Sequence, residues 1–150
     1  ILVPFDGSTA SAQGLDEAIK LAKLTGARLR IIYEMDEMTG VMGLESYAVY
    51  SADLLASLQQ AGAAILQHAK AKAKAAGVEA ETEMFQSVGP RLVERVIEQV
   101  SSWKADLIVI GSHGRRGMAR LLLGSDAEQI VRLAPVPVLL VRQHAQAAAA

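Results

Sequence analysis

The sequence predicts an α/β fold, in which a single domain is built on a doubly wound, five-stranded parallel sheet. Five short apolar runs alternate along the 150 residues with four segments that have helical spacing, as in repeated β-α-β units. One run, residues 107–110 (LIVI), has no polar alternation, so we expect that strand to be covered on both faces. The strand order that we expect for such a sheet is 3-2-1-4-5.

Each predicted strand is a short apolar run bounded by turn residues. These runs span residues 1–4, 29–33, 78–85, 107–110 and 136–141. The third run differs from the others, because Glu79, Glu81 and Glu83 alternate there with apolar or small residues. This alternation predicts a strand with one face in water, which suits an edge of the sheet.

Each predicted helix has apolar residues three and four positions apart, with start and stop signals at its ends. The four segments run from Ser8 to Gly26, from Leu54 to Gly77, from Gly89-Pro90 to Val100, and from Ser125 to Leu133. The last one opens with Ser125-Asp126-Ala127-Glu128, which has capping-box spacing. Residues 36–50 show no period, and we interpret them either as a lid over a site or as a mobile loop.

Composition narrows the possible functions. A formal net charge of −1 gives no general attraction to nucleic acid or to an anionic membrane, and the absence of cysteine excludes thiolate chemistry. The apolar runs are far shorter than the roughly 20 residues that span a bilayer, and no signal peptide is visible, so we expect a cytoplasmic protein without a membrane segment. His68, His113 and His144 lie far apart, without metal-ligand spacing.

The strongest functional signal follows the fourth strand, where residues 111–117 read GSHGRRG and Gly124-Ser125 opens a helix. In the order 3-2-1-4-5, the loops after the first and fourth strands face one crevice, so Asp6 lies opposite these glycines. Glycines let backbone approach a ligand, and a helix start presents free N–H groups, which together favour a phosphate. The loop lacks the Gly-Lys-Ser/Thr of a P-loop, and an ordinary turn with a helix cap is the competing interpretation.

The spacing Gly-x2-Gly-x9-Gly-Ser, made by Gly111, Gly114, Gly124 and Ser125, resembles that of the universal stress protein family, in its ATP-binding branch. Three further stretches resemble the family as well: ILVP with the following DGS, ADLIVIG at 105–111, and APVPVL at 134–139. The resemblance covers residues 1–142 as one domain. Residues 143–150 are low in complexity and are expected to form a flexible tail.

The resemblance implies a flavodoxin-like or Rossmann-like fold that binds an adenine nucleotide, with adenosine near the first two strands and phosphates on the glycine loop. The residues that it assigns to this cofactor site are Pro4, Asp6, Glu34, Gly111, Gly114, Arg115, Arg116, Gly124 and Ser125. Glu34 departs from the family pattern, which often has a small apolar residue beside the adenine. The ligand that we expect is ATP, or AMP or ADP, with Mg or Mn held mainly by the phosphates.

The function that follows is a nucleotide-dependent regulator or sensor of the stress response, with at most slow ATP hydrolysis. One alternative is a weak hydrolase or transferase in the same crevice with Asp6 or Glu34 as base. Another is a protein-interaction module without a nucleotide; a receiver is disfavoured, because Phe85-Gln86-Ser87 stands where its phosphoacceptor aspartate belongs. The apolar strand 136–141 and the resemblance both predict a homodimer through antiparallel pairing of that edge.

Overall fold

The computed structural model describes residues 1–35, 52–86, 92–113 and 123–142. Its five strands are β1 (Leu2–Pro4), β2 (Leu29–Met35), β3 (Ala80–Gln86), β4 (Ile108–Gly111) and β5 (Val138–Val141). Its four helices are α1 (Thr9–Thr25), α2 (Ala52–Ala75), α3 (Leu92–Trp103) and α4 (Ser125–Leu133). Strands and helices alternate along the chain, as the sequence predicts.

The five strands form one parallel sheet in the order β3-β2-β1-β4-β5, which confirms the predicted topology. The last strand is shorter than predicted, because it begins at Val138 rather than at Val136. The Pro137 carbonyl still accepts the Ile108 N–H at 3.0 Å. Proline has no N–H of its own to continue the ladder, so regular pairing starts one residue later.

Both faces of the sheet are covered, and alternate residues of the central strands enter two separate cores. Val3 and Val109 face α1 and α2, whereas Leu2 and Ile108 face α3 and α4. All four side chains are fully buried. The apolar run of the fourth strand is therefore buried on both sides, as its lack of alternation predicts.

The outer strand β3 confirms the predicted edge, but its glutamates do not simply face water. Arg30 of β2 donates one N–H to Glu81 at 2.9 Å and another to Glu83. The indole N–H of Trp103 donates to Glu81 at 3.2 Å, and the guanidinium of Arg30 lies 5.8 Å from the centre of that ring. The alternating glutamates of β3 therefore belong to a paired, half-buried charge cluster between β2, β3 and the end of α3.

Replacing Arg30 by methionine should lower the free energy of unfolding by about 2 kcal/mol, because two carboxylates on one face of β3 lose a shared, charged donor. The Arg30 side chain is 19% exposed, whereas those of Glu81 and Glu83 are 43% and 35% exposed, so solvent screens the two pairs in part. Lys20→Met is the matched control, since the Lys20–Glu17 pair is exposed and should contribute little to stability. Urea denaturation measures both; equal losses would contradict this account of the cluster.

Several sequence predictions lie outside the described residues: the loop at 36–50, the Gly89-Pro90 opening of the third helix, and the tail at 143–150. Within the described ranges, none of the helices has the length and apolar character needed to cross a membrane.

Candidate functional site

The predicted switch point of the sheet lies between β1 and β4, which are neighbours in the structure. The chain leaves β1 through Phe5, whose N–H donates to the Ile32 carbonyl at 2.8 Å. It leaves β4 through Ser112, whose N–H donates to the Val141 carbonyl at 2.8 Å. From there one connection leads to α1 and the other to α4, on opposite faces of the sheet. This divergence produces the crevice in which such sheets bind ligands.

Asp6 stands at the β1 side of the crevice and shapes the turn into α1. Its Oδ1 accepts the Ser8 N–H at 2.9 Å, and Gly7 between them has a positive φ of 80°. Ser8 is the N-cap of the helix, because its Oγ accepts the Ser11 N–H at 3.2 Å. The capping role is therefore that of Ser8, whereas the half-buried Asp6 holds the turn at the mouth of the crevice.

Gly111 ends β4 at a point where the backbone of helix α1 lies against the strand. A Cβ built on Gly111 would lie 2.6 Å from the carbonyl carbon and oxygen of Ala10 and 2.8 Å from the Ser11 nitrogen. A Cβ on Gly14, one turn further along α1, would lie 3.2 Å from the Gly111 nitrogen. Helix–strand packing thus explains the glycine at 111 without a ligand.

Ser112 joins three elements at the end of β4. Its N–H bonds to Val141 at the end of β5, and its carbonyl accepts the Gly124 N–H at 2.9 Å, at the start of α4. The residue is 3% exposed. The start of α4 is therefore fixed against the carboxyl end of the sheet, on the β4 side of the crevice.

Helix α4 begins differently from the prediction, and the proposed capping box is wrong. Gly124 is the N-cap, with extended φ and ψ of −62° and 145°, and as a glycine it has no side chain with which to cap the helix. Its carbonyl accepts the Glu128 N–H at 2.9 Å, so Ser125 is already the first helical residue, one position beyond the N-cap that a box requires. The Ser125 side chain is exposed and its hydroxyl is not used for capping.

Pro4 and Glu34 occupy the adenine side of the expected site at neighbouring strands. Pro4 is buried in β1 opposite Ile32, and Glu34 is partly buried near the end of β2, opposite Phe85 of β3. Because alternate residues point to the same face, Pro4 and Glu34 share the sheet face of Leu2 and Ile32, which packs against α3.

Three further predicted site residues, Gly114, Arg115 and Arg116, lie outside the described residues. The site residues that the structure does describe lie on the carboxyl ends of β1, β2 and β4 and on the first turn of α4. Among the described residues, no group of three or more acidic or histidine side chains is arranged to hold a metal ion.

The chain's relationship to known proteins agrees with this architecture. Residues 1–142 match the model of the universal stress protein family. The chain belongs to this family. A universal stress protein of Methanocaldococcus jannaschii is 35% identical over 144 residues, which are 95% of this chain and 81% of that protein.

Two solved structures have the same fold as this universal stress protein. A family member from Burkholderia pseudomallei matches with a TM-score of 0.70 and 28% identity, over 93% of this chain and 92% of that one. A universal stress protein in complex with cAMP matches with a TM-score of 0.67 and 29% identity, over 93% of this chain and 94% of that one. Both extend over nearly the whole domain.

Two residues of this universal stress protein matter to the site although the sequence patterns above predict no role for them. Ser112 stands at one of the unspecified positions of the glycine motif, and its bonds to β5 and α4 depend on the tertiary fold. Gly14 carried a usable signal, because an isolated glycine within a helical pattern often marks a close packing contact. The crevice combines a helix N-terminus, suited to an anion, with the carboxylate of Asp6, suited to hydroxyl donors.

Proposed function

We propose that this protein binds an adenine nucleotide, ATP in the first instance, and acts as a nucleotide-dependent regulator or sensor of the stress response in the cytoplasm. The observation that carries the proposal is the start of α4, where the N-cap Gly124 has no side chain to cap the helix and is fixed to the end of β4 through Ser112. Free N–H groups at a helix start favour a phosphate. The relative of known structure that holds cAMP supports the adenine class.

The proposed roles follow the two sides of the crevice. Gly124 and Ser125 bind phosphate oxygens through backbone N–H groups and the Ser125 hydroxyl, and Gly111 contributes backbone beside the ribose. Asp6 accepts hydrogen bonds from ribose hydroxyls. Further members of the proposed site are Pro4, Glu34, Gly114, Arg115 and Arg116. A magnesium or manganese ion would be held mainly by the phosphates. Such an ion would also offset the negative charge of Asp126 and Glu128 in the first turn of α4, which disfavours an unpaired anion there.

Mass spectrometry of the ligand released on denaturing the purified protein tests the proposed function. We expect an adenine nucleotide at a substantial fraction of the protein concentration, or, where purification removes it, saturable binding of added ATP with magnesium. Neither a released nucleotide nor titratable binding would overturn the proposal and favour a protein-interaction module.

Replacing Asp6 by asparagine should weaken ATP binding about tenfold, because a neutral amide oxygen accepts a weaker hydrogen bond than a carboxylate. Asparagine keeps an Oδ1 for the Ser8 N–H, so the turn into α1 and the melting temperature should change little. Calorimetric titration measures the affinity, with Asp106→Asn, near the opposite end of β4, as the control.

The same variant separates binding from catalysis. We propose a binding protein with at most slow hydrolysis, because the glycine loop lacks the lysine that stabilises transferred charge in P-loop enzymes. ATP turnover well above background that disappears in Asp6→Asn would instead establish the hydrolase or transferase alternative.

The exposed edge strand β5 is proposed to pair antiparallel with its copy in a homodimer. Leu139 is 38% exposed on this strand, and Leu133 at the end of α4 is 58% exposed. Such an apolar edge favours strand pairing. Leu139→Lys should convert the dimer to a monomer in sedimentation velocity at micromolar concentration, because two like charges would meet across the pair. Leu24→Lys, on the 83% exposed Leu24 of α1, should leave the dimer intact; a monomeric parent protein would contradict the pairing.

A further inference from the structure

A serine–histidine pair lies at the end of β4, directly beside the start of α4. The Oγ of Ser112 and the Nδ1 of His113 are 2.9 Å apart. Ser112 is almost fully buried, and its backbone forms hydrogen bonds with Val141 and with Gly124. These bonds fix the position from which its side chain extends. The histidine ring therefore receives its orientation from a rigid neighbour.

The other ring nitrogen of His113 has an unusual environment. Its Nε2 is buried and has no hydrogen-bond partner among the described residues. A buried polar nitrogen without a partner costs free energy, which a ligand that pairs with it would recover. His113 also follows directly after the residue whose carbonyl binds Gly124, so its backbone lies beside the start of α4, at the proposed phosphate side of the crevice.

The Ser112 hydroxyl can determine whether Nε2 of His113 is a hydrogen-bond donor or an acceptor. A neutral imidazole carries its proton on one nitrogen only, and which one is set by the partner of the other. When the hydroxyl donates its hydrogen to Nδ1, the ring proton resides on Nε2, which becomes a donor. Phosphate oxygens accept hydrogen bonds and donate none when ionised, so this tautomer is the one that suits a nucleotide phosphate.

We propose that His113 is a phosphate-binding residue of the nucleotide site, donating from Nε2–H, and that Ser112 is the positioning residue that fixes its tautomer and ring orientation. This inference rests on the proposed nucleotide-binding function and adds to it a preference for phosphorylated ligands over the nucleoside. It assigns no proton transfer to the pair.

Titrating ATP, AMP and adenosine into matched His113 variants tests the phosphate contact. In His113→Gln the side-chain amide nitrogen can occupy the place of Nε2, whereas in His113→Asn the amide reaches only the place of Nδ1. We expect His113→Asn to weaken ATP and AMP binding about tenfold, as for loss of a charge-assisted hydrogen bond. Adenosine affinity should change less than about twofold, and His113→Gln should stay near the parent protein.

Unchanged ATP and AMP affinity in His113→Asn would overturn the contact, as would an equal loss for adenosine. A parent protein that binds none of the three ligands would instead refute the proposed function itself, and with it the phosphate contact. Melting temperatures of the variants must remain near that of the parent protein for the affinities to be compared. If the asparagine variant fails to fold, His113→Ala replaces it, with the same expected loss of ATP and AMP affinity and the same unchanged adenosine affinity.

The tautomer is tested without any ligand by long-range ¹H–¹⁵N correlation of the His113 ring. We expect the Nε2–H form in the parent protein and in Ser112→Thr, which keeps the hydroxyl, and a mixture of tautomers in Ser112→Ala. A dominant Nδ1–H form in the parent protein, or a ring that does not respond to Ser112→Ala, would overturn the positioning role whatever the nucleotide affinity.

Discussion

Replacing Gly124 by valine is expected to lower ATP affinity at least tenfold while the protein stays folded. The φ and ψ of Gly124 are those of extended backbone, which any residue adopts, so the substitution introduces no backbone strain. Valine is a poor N-cap and should cost roughly 1 kcal/mol of stability. Its two methyl groups, however, would stand beside the N–H groups that the phosphates are proposed to contact.

The control for Gly124→Val is a graded series measured by calorimetry. Gly124→Ala should weaken ATP binding less than the valine variant, and Ala75→Val, near the end of α2 and far from the crevice, should not weaken it at all. Full ATP affinity in a folded Gly124→Val protein would remove the start of α4 from the phosphate site.

Replacing Gly111 by alanine is expected to destabilise the whole domain by about 1–3 kcal/mol, because the new methyl group would overlap the backbone of α1. The nearest atoms are the carbonyl carbon and oxygen of Ala10, at 2.6 Å, and backbone cannot rotate aside as a side chain can. For a domain of this size such a loss corresponds to a melting temperature lower by about 2–10 °C.

The matched variant for Gly111→Ala is Gly14→Ala, on the other side of the same contact. Its methyl group would approach the Gly111 nitrogen to 3.2 Å, a smaller conflict, and alanine is favoured over glycine in a helix by about 0.8–1 kcal/mol. We expect these two effects nearly to cancel. A Gly111→Ala protein as stable as its parent would show that α1 can retreat from β4 and that packing does not require this glycine.

The fold could be predicted because its signals are local and repeated. An unbroken apolar run, such as that at 107–110, predicts a buried strand. The alternation of strands with helices along the chain predicts that the strands are parallel. The error arises where a tertiary contact overrides a local signal. Ser125 and Glu128 have the spacing of a capping box, but the bond between Ser112 and Gly124 starts the helix one residue earlier. Such a bond joins residues that only the tertiary fold brings together.

The position of the crevice between β1 and β4 was predictable from the sequence, but the contacts that shape it were not. The order of strands places the loops after β1 and β4 at one crevice, so Asp6 and Gly111 could be assigned to it from the sequence. The burial of Ser112 and the close approach of α1 to Gly111 follow from packing across the sheet, which no short motif encodes. The glycine spacing alone therefore suggests that a ligand accounts for all the glycines of the motif, whereas packing against α1 accounts for Gly111.

The ion pairs made by the glutamates of β3, at the other edge of the sheet, also depend on tertiary contacts that the sequence does not reveal. A strand that alternates charged and apolar residues predicts a solvent-facing side, and β3 is indeed an outer strand. The sequence does not reveal that Arg30, from the neighbouring strand, lies opposite Glu81 and binds it. Register decides that pairing, and register is a property of the assembled sheet.

The most direct test of the nucleotide site is the titration of ¹⁵N-labelled protein with ATP and magnesium, followed by the backbone amide signals. We expect the largest shifts on Asp6, Gly111 to His113, and Gly124 to Asp126. A depression of about 350 Å³ lies at the opposite end of the sheet, lined in part by Lys23, Gly77 and Glu79. Shifts centred there, with the crevice signals unmoved at saturating ATP, would contradict the proposed nucleotide site.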